Sequence, residues 1–261
     1  MSALSNATPT VAAMLSSLVS KGYIFLLIKF YVRVIGFDVI CSMGILDILF
    51  IMGLLGMIMG SVSAVRAKTT RLMIAYSSVA QIGYVFTALG LRSEIGIVCA
   101  LWHCAAHAST KSMLFISCAE MDDACGGTHL RKHLKGAFYH SPLLALAFSL
   151  GAINLVGIPF LSVFMTKITL VQAAIDVGGR HMGLVLVAVA ISTLLNAVYF
   201  LGTAITLYVP LKEGETALPP TVRKNKYTAV SVIGMIVMNL VMGIFSQPIL
   251  TALAEGLARF A

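Results

Sequence analysis

The sequence predicts an all-α polytopic membrane protein with about seven transmembrane helices, one of which is discontinuous. Of its 261 residues, 59% are hydrophobic and 11% are charged, and the mean hydropathy is +0.97. A soluble domain carries about 25% charged residues, so this composition excludes an ordinary globular core and a disordered chain. At about 20 apolar residues for each spanning helix, the chain is long enough for about seven helices and their connections.

Long apolar segments, separated by short polar connections, give the predicted helices in chain order. We expect them within a single membrane domain, residues 1–261, at positions 11–36, 40–65, 71–91, 94–119, 138–177, 182–209 and 226–252. The fifth segment is interrupted between residues 157 and 162, where a glycine and a proline end the helical pattern. This interruption is the predicted discontinuity.

The distribution of basic residues predicts how the chain is oriented. With helices that alternate in direction, ten of the 18 lysines and arginines lie on one side of the membrane and five on the other. The ten are Arg66, Lys68, Arg71, Arg131, Lys132, Lys135, Lys212, Arg223, Lys224 and Lys226. The five are Lys29, Arg33, Arg92, Arg180 and Arg259. This excess indicates that the N-terminus faces the cytoplasm or an organelle matrix and that the C-terminus lies opposite. Because the net charge of +8 forms no single patch, nucleic acid is not an expected partner.

Three lysines fall inside apolar segments, at Lys21, Lys111 and Lys167. A charged side chain at the centre of a bilayer costs at least about 2.5 to 3.5 kcal/mol, so each is a functional candidate that should face the bundle interior. Lys21 lies too deep in the first predicted helix to reach the membrane surface easily. Lys29 and Arg33 are nearer the exit of that helix, and we expect them to be interfacial anchors.

His103, His107 and Lys111 follow one another at spacings of four residues. This spacing stacks the three side chains on one face of a helix, with about 6 Å of rise between neighbours. Imidazole exchanges a proton near neutral pH, and an amine removed from water gives up its proton more readily than an exposed one. A column of such groups, bridged by water, predicts a proton path along the membrane normal.

Two other interpretations of the histidine pair remain open, zinc binding and a structural role in a polar core. Zinc is disfavoured because the glutamate of an HExxH motif is missing and the neighbouring lysine would repel a cation. A haem held by both histidines is disfavoured because its axial ligands must come from opposite sides of the iron. A pair that only forms hydrogen bonds within the core remains an alternative.

Lys167 follows a segment in which Gly157 and Pro159 should break the helix. The carbonyl and amide groups freed by such a break are tolerated only where protein or a water-filled cavity satisfies them. Transporters build ion sites near the bilayer midplane at discontinuous helices of this kind. The alternative is a proline-kinked helix whose lysine reaches the membrane interface.

The remaining reactive side chains are expected to be structural. The five cysteines form no CxxC motif and should be small core residues: Cys41, Cys99, Cys104, Cys118 and Cys125. The polar connection 120–137 should be a solvated loop or a short surface helix, and its candidates for metal binding are Asp122, Asp123, His129 and His133. Asp47 either pairs with a buried lysine or lies at the interface. We expect no cofactor, no metal site and no catalytic residue.

Together these motifs resemble the antiporter-like proton-translocating subunits shared by respiratory complex I, membrane-bound hydrogenases and Mrp-type cation/proton antiporters. Residues 71–84 resemble the family sequence KRLLAYSSIAQIGY, and residues 103–115 match HxxxHAxxKxLLF. Residues 157–167 are similar to GxPPxxGFxxK, although Phe160 replaces the second proline and Val163 the glycine. Residues 8–21 resemble APTxVSALLxxLLxK, and residues 192–200 resemble the Mrp D-subunit sequence SSLLNAxYF.

The resemblance implies a role for each candidate residue. Lys21 would be the central lysine of the channel, and Lys167 would be the terminal lysine of the second half-channel. The column of His103, His107 and Lys111 would connect the two. Arg71 stands where the family has a lysine. Because arginine stays protonated, Arg71 would support the site electrostatically or structurally and would not relay protons.

A complete family member has about fourteen helices in two inverted repeats, and this chain corresponds to the second half. The resemblance therefore implies either a separate chain that supplies the N-terminal half or a naturally truncated homologue. The other expected partners are membrane lipids and the other membrane subunits of a multi-subunit complex. The membrane would be an energy-coupling one, either a bacterial or archaeal cytoplasmic membrane or the mitochondrial inner membrane.

The expected function is that of a membrane subunit of a proton-pumping respiratory oxidoreductase or a related Mrp-type complex. It would translocate protons through a half-channel of intramembrane lysines and histidines, without redox chemistry of its own. The driving energy would come from redox subunits or from an ion gradient. Two alternatives remain, a degenerate structural or assembly half-subunit without transport and a Na+/H+ antiporter subunit.

Overall fold

The computed structural model of the chain describes residues 8–124, 134–210 and 226–260. The secondary-structure elements in these ranges are all helices, which confirms the all-α prediction. The first helix, α1, covers residues 9–36 and alternates between two kinds of helix. The α-helical segment Pro9–Met14 is followed by the π-helical turn Leu15–Val19, and the α-helical segment Ser20–Lys29 is followed by the π-helical turn Phe30–Gly36. The side chains of Asp122 and Asp123, and the residues Cys125, His129 and His133, lie outside the described part.

Further helices follow in chain order. They are α2 (Phe37–Ser42), α3 (Ile45–Arg66), α4 (Thr70–Gly90), α5 (Glu94–Ala124), α6 (Ala137–His140), α7 (Pro142–Val156), α8 (Ser162–Val177), α9 (Gly179–Tyr208), α10 (Lys226–Ile244) and α11 (Ser246–Phe260).

In the described ranges, four helices are long and apolar enough to cross a membrane on their own, namely α3, α4, α9 and α10. The other predicted spans are either shorter or more polar than these four helices. The π-helical turns divide α1 into short pieces, and a break separates α7 from α8. Helix α5 is long enough, but its histidines and lysine make it more polar than the others.

Helix α5 lies at the centre of the bundle, where it contacts α1, α4, α7, α8, α10 and α11. Large side chains around its circumference, such as Trp102, Leu114 and Phe115, are fully buried among these neighbours. Because other helices cover most of its surface, polar side chains on α5 are separated from lipid by protein. Such a helix can carry a column of ionisable groups through a membrane.

The closest helix pair is α3 with α4, which pack through glycines and alanines. A Cβ atom added at Gly60 would lie 2.5 Å from the backbone nitrogen of Ala80, and one added at Gly83 would lie 2.5 Å from that of Met57. Small residues permit such close backbone approach between membrane helices. This contact fixes the rotation of α4 and thereby the direction in which its polar side chains point.

The discontinuous helix is confirmed, and its break spans residues 157–161 between α7 and α8. Gly157 ends α7 in the left-handed conformation, with φ of +83°. The backbone of Phe160 also has a positive φ, 69°, which is unusual for a residue with a side chain. Gly243, near the end of α10, packs directly against the backbone of Phe160 and Leu161.

The last predicted segment, 226–252, is divided in the structure and extends further along the chain. Helix α10 ends at Ile244, and α11 runs from Ser246 to Phe260. The reason is Pro248, which has no N–H to donate to the carbonyl group of Ile244. The second break therefore lies next to the first, because Gly243 contacts the 157–161 connection.

Asp47 lies at the surface and not beside a buried lysine. Its carboxylate accepts a hydrogen bond of 2.6 Å from the guanidinium group of Arg92, and both side chains are partly exposed. Of the cysteines, Cys99, Cys104 and Cys118 are buried core residues, as predicted, and Cys41 is half-buried.

Candidate functional site

The five predicted proton-path residues lie on helices that meet at the bundle centre. Lys21 is on α1, His103, His107 and Lys111 are on α5, and Lys167 is on α8, and both α1 and α8 contact α5. Their side chains are between 0% and 8% exposed. The structure therefore places all five in the protein interior, away from the lipid-facing surface.

The Lys21 amine is held by the helix on which it lies. Its Nζ atom donates to the backbone carbonyl of Ser16 and, at 3.3 Å, to the hydroxyl group of Ser20. Ser16 belongs to the π-helical turn Leu15–Val19, and its hydroxyl lies 3.2 Å from that of Ser78 on α4. Single π-helical turns inside α-helices are frequent at functional sites. The sequence signal for this feature is the serine cluster before Lys21.

His103 and His107 form a stacked pair, as their spacing predicts. The ring centroids are 5.7 Å apart, and the ring planes differ by only 9°. The Tyr84 ring stacks on the other face of His103 at 5.7 Å. The Nδ1 atom of His103 lies 3.0 Å from the hydroxyl oxygen of Thr166, the residue before Lys167. His103 therefore joins the α5 column to α8.

The Lys111 amine points across to α4. It donates to the backbone carbonyl of Ile74 at 2.6 Å and to the hydroxyl group of Ser77. The ring of Phe200 lies 5.9 Å from the same nitrogen, within the range of a cation–π contact. Both hydrogen-bond partners belong to the 71–84 segment identified from the sequence. Arg71, at the start of that segment, is half-buried.

The Lys167 amine is held at the helix break. It donates to the carbonyl group of Val156, the last residue of α7, and at 2.7 Å to the hydroxyl group of Thr193 on α9. The break frees this carbonyl because no continuing helix supplies its usual N–H donor. A Cβ atom on Gly157 would lie 2.8 Å from Cε of Lys167, so glycine is required for this contact. Pro159 lies within the same connection.

The three amines share one pattern, in which each donates to one backbone carbonyl and one hydroxyl group. Within residues 8–124, 134–210 and 226–260, no carboxylate is among their hydrogen-bond partners. A neutral acceptor can hold the ammonium ion, and it leaves no unpaired anion when the amine becomes neutral. The arrangement is therefore compatible with both charge states of each lysine.

A buried amide network lies beside the break and was not predicted from the sequence. The Asn154 amide group donates to Thr110 at 2.9 Å and to Asn239 at 2.8 Å. Its carbonyl oxygen accepts the backbone N–H of Val163 at 3.0 Å, which connects the start of α8 to α7. The network holds α5, α7, α8 and α10 together where the helix is interrupted. Asparagines within apolar segments were the available sequence signal.

A second network joins α3 to α9. The hydroxyl groups of Ser61 and Ser192 lie 3.1 Å apart, and Tyr199 donates to the Asn196 side chain at 2.5 Å. Asn196 also donates to the carbonyl of Leu155, one residue before the carbonyl that holds Lys167. The 192–200 motif therefore helps to position the end of α7.

Comparison with known proteins supports the resemblance. The family model described as NADH:quinone oxidoreductase/Mrp antiporter, transmembrane, matches residues 2–196. NADH-quinone oxidoreductase subunit N 1 of Streptomyces griseus is 29% identical over 200 residues, which are 76% of this chain and 40% of that protein.

Two solved structures share the fold. A chain of the Mrp complex from Dietzia sp. DQ12-45-1b is 23% identical with a TM-score of 0.84, and the match covers 99% of this chain and 54% of the other. A chain of the membrane-bound sulfane sulfur reductase, an archaeal respiratory membrane complex, is 24% identical with a TM-score of 0.81 and coverages of 99% and 50%.

The chain thus spans about half the length of the proteins that it matches. The family model covers most of the chain, including α4 and the whole α5 column. Apolar helices and this match together identify a membrane protein. The chain belongs to the NADH:quinone oxidoreductase/Mrp antiporter transmembrane family.

Proposed function

We propose that this chain translocates protons as a membrane subunit of a larger complex. The half-channel consists of Lys21, the column of His103, His107 and Lys111, and Lys167. The observation that carries this proposal is the set of three buried amines around a stacked histidine pair, each amine donating to a backbone carbonyl and a hydroxyl group. Charged groups inside a membrane protein are expensive, and proton relays are one of the uses that retain them.

The five groups pass charge laterally through the bundle interior. Protonation of one site repels positive charge at the next, and this repulsion is strong where the dielectric constant is low. Helix α5, which carries the histidine pair, contacts both α1 and α8 and thereby links their two lysines. Because no redox group is needed for these steps, the driving energy comes from other subunits or from an ion gradient.

The partners follow from the relatives, whose names refer to an NADH-quinone oxidoreductase and an Mrp complex. We propose that other membrane subunits surround this chain and that a separate chain supplies the half that the longer relatives contain. The complex lies in an energy-coupling membrane, with the N-terminus of this chain on the cytoplasmic or matrix side. Arg71 at the family's lysine position favours a second candidate function, a structural half-subunit without transport.

Replacement of Lys167 by Ala tests the proposal. In inverted membrane vesicles that contain the assembled complex, we expect proton uptake to fall at least about tenfold, or about 1.4 kcal/mol in the activation barrier. The matched control is Lys29→Ala, which removes an exposed lysine of α1 and should leave uptake unchanged. Unchanged uptake in Lys167→Ala, with normal amounts of assembled complex, would contradict proton transport and favour the structural role. Repeating the assay with and without a Na+ gradient identifies a Na+/H+ antiporter.

A further inference from the structure

Four buried side chains between α4 and α5 have polar atoms without a hydrogen-bond partner among the described residues. They are both ends of the Gln81 amide, the Tyr84 hydroxyl group, and Nε2 of His103 and His107. Each side chain is no more than 1% exposed. Nearly all buried polar groups in proteins have a hydrogen-bond partner, so four neighbouring side chains with unpaired polar atoms need an explanation.

The pairing of α4 with α5 shows where these groups lie. Ser77, Gln81 and Tyr84 are spaced four and three residues apart, and therefore share one face of α4. At one end of this face, Ser77 contacts Lys111, and at the other end Tyr84 stacks on His103. The two helices run antiparallel, so Gln81 lies between these contacts and level with His107.

Water can provide partners for this set of groups. A water molecule donates two hydrogen bonds and accepts two, and buried waters commonly bind two to four otherwise unpaired polar groups. The Gln81 amide and the Tyr84 hydroxyl group can each donate and accept hydrogen bonds. Nε2 of each histidine donates or accepts a hydrogen bond, depending on the tautomer. An apolar ligand would leave all of these atoms unpaired.

The same face of α4 leads to Lys167. The Tyr84 hydroxyl group lies next to the hydroxyl groups of Ser192 and Thr193 on α9, without a completed hydrogen bond. The Thr193 hydroxyl accepts a hydrogen bond from Lys167 at 2.7 Å. Tyr84 thus contacts the histidine column through its ring and approaches the partner of Lys167 through its hydroxyl group.

We propose that Gln81 and Tyr84 bind internal water opposite the histidine column and that this water, with Thr193, connects His103 to Lys167. When a proton passes from His103 to Lys167, an N–H bond breaks at the protonated imidazole and an N–H bond forms at the neutral amine. Each water or hydroxyl group between them gains one O–H bond and loses another, so its composition is unchanged. The transport role rests on the proposed function, whereas the binding of water does not. Gln81, Tyr84 and Thr193 are positioning residues in this path.

Substitutions that remove single hydroxyl groups test the connection. In the vesicle assay, Tyr84→Phe and Thr193→Val should each reduce proton uptake about tenfold, the effect of one lost hydrogen bond in the rate-limiting state. Thr193→Ser, which restores the hydroxyl, should recover most of the rate lost in Thr193→Val. The control is Thr87→Val, which removes a buried hydroxyl from the α3 side of α4, where it contacts Met57.

Comparison with Lys167→Ala separates two possible failures. If Lys167→Ala loses uptake while Tyr84→Phe and Thr193→Val retain it, the connection through α4 is wrong and the proposed function stands. If Lys167→Ala retains uptake, the proposed function itself is wrong.

A structure of the assembled complex at a resolution that shows ordered water tests the binding site independently of transport. We expect water within about 2.7 to 3.2 Å of the Gln81 amide and the Tyr84 hydroxyl. The water near the amide should disappear in Gln81→Leu. Apolar atoms packed against these groups in the wild-type complex would overturn the assignment.

Discussion

Replacement of Lys111 by Met is expected to reduce proton uptake by about hundredfold, or about 2.7 kcal/mol in the activation barrier. Lys111 is fully buried, and its amine donates to the backbone carbonyl of Ile74 on α4. Methionine has an unbranched side chain of similar length but no proton to exchange. Because Lys167 is slightly exposed beside a helix break, water can replace part of its function, whereas Lys111 is enclosed on all sides. The effect at Lys111 should therefore be the larger.

The same substitution should leave folding nearly intact. It leaves the acceptors at Ile74 and Ser77 without their donor, but it also removes the cost of burying a polar amine. These effects oppose each other, and we expect the free energy of unfolding to change by no more than about 1 to 2 kcal/mol. The amount of assembled complex on a native gel and the thermal midpoint measure this change. A Lys111→Met variant that pumps at the wild-type rate would exclude the relay role.

Lys111→Arg distinguishes a relay from a fixed charge. Arginine keeps the positive charge but does not release its proton at physiological pH. If Lys111 relays protons, the arginine variant should be as inactive as the methionine variant. If the position supplies only an electrostatic field, the arginine variant should retain uptake.

Gly243→Ala is expected to have the largest effect on stability. The added methyl group would overlap the backbone carbonyl of Phe160 and lie 3.0 Å from Cα of Leu161. These are backbone atoms of the break and cannot rotate away, so α10 must move. Overpacking of this kind typically costs about 1 to 3 kcal/mol. A lower thermal midpoint of the purified protein in detergent measures it.

The matched control lies on the same helix. Gly234 has no atom within 4 Å of an added Cβ, so Gly234→Ala should keep or increase stability, because alanine favours a helix by about 1 kcal/mol over glycine. Equal thermal midpoints for the two variants would show that α10 does not pack against the break. A selective loss in Gly243→Ala supports the contact.

Local features of the sequence were enough to predict much of the fold and the site. Apolar runs of spanning length give the helices, and the spacing of His103, His107 and Lys111 gives the stacked column. Gly157 and Pro159 give the break, since each disrupts a helix by its own backbone chemistry. All of these signals act within a few residues of the structure that they specify.

The remaining features depend on contacts between distant residues. Asn154 and Asn239 are 85 residues apart, and their hydrogen bond depends on how α7 and α10 are rotated. The acceptors of Lys111 depend in the same way on the close packing of α3 with α4. Pro248 was a local signal for the second break, but the apolar residues around it favoured one continuous helix.

One acceptor at each lysine is a backbone oxygen, from Ser16, Ile74 and Val156. Every amino acid carries the same carbonyl group, so a saturation mutational scan will detect the lysines and pass over these partners. Divergence at positions 16, 74 and 156 therefore says little about whether a relative keeps the site. The number of residues between acceptor and lysine is the better indicator of a conserved site. It is five from Ser16 to Lys21 and 11 from Val156 to Lys167. A single inserted or deleted residue within them would move an acceptor that no substitution can remove.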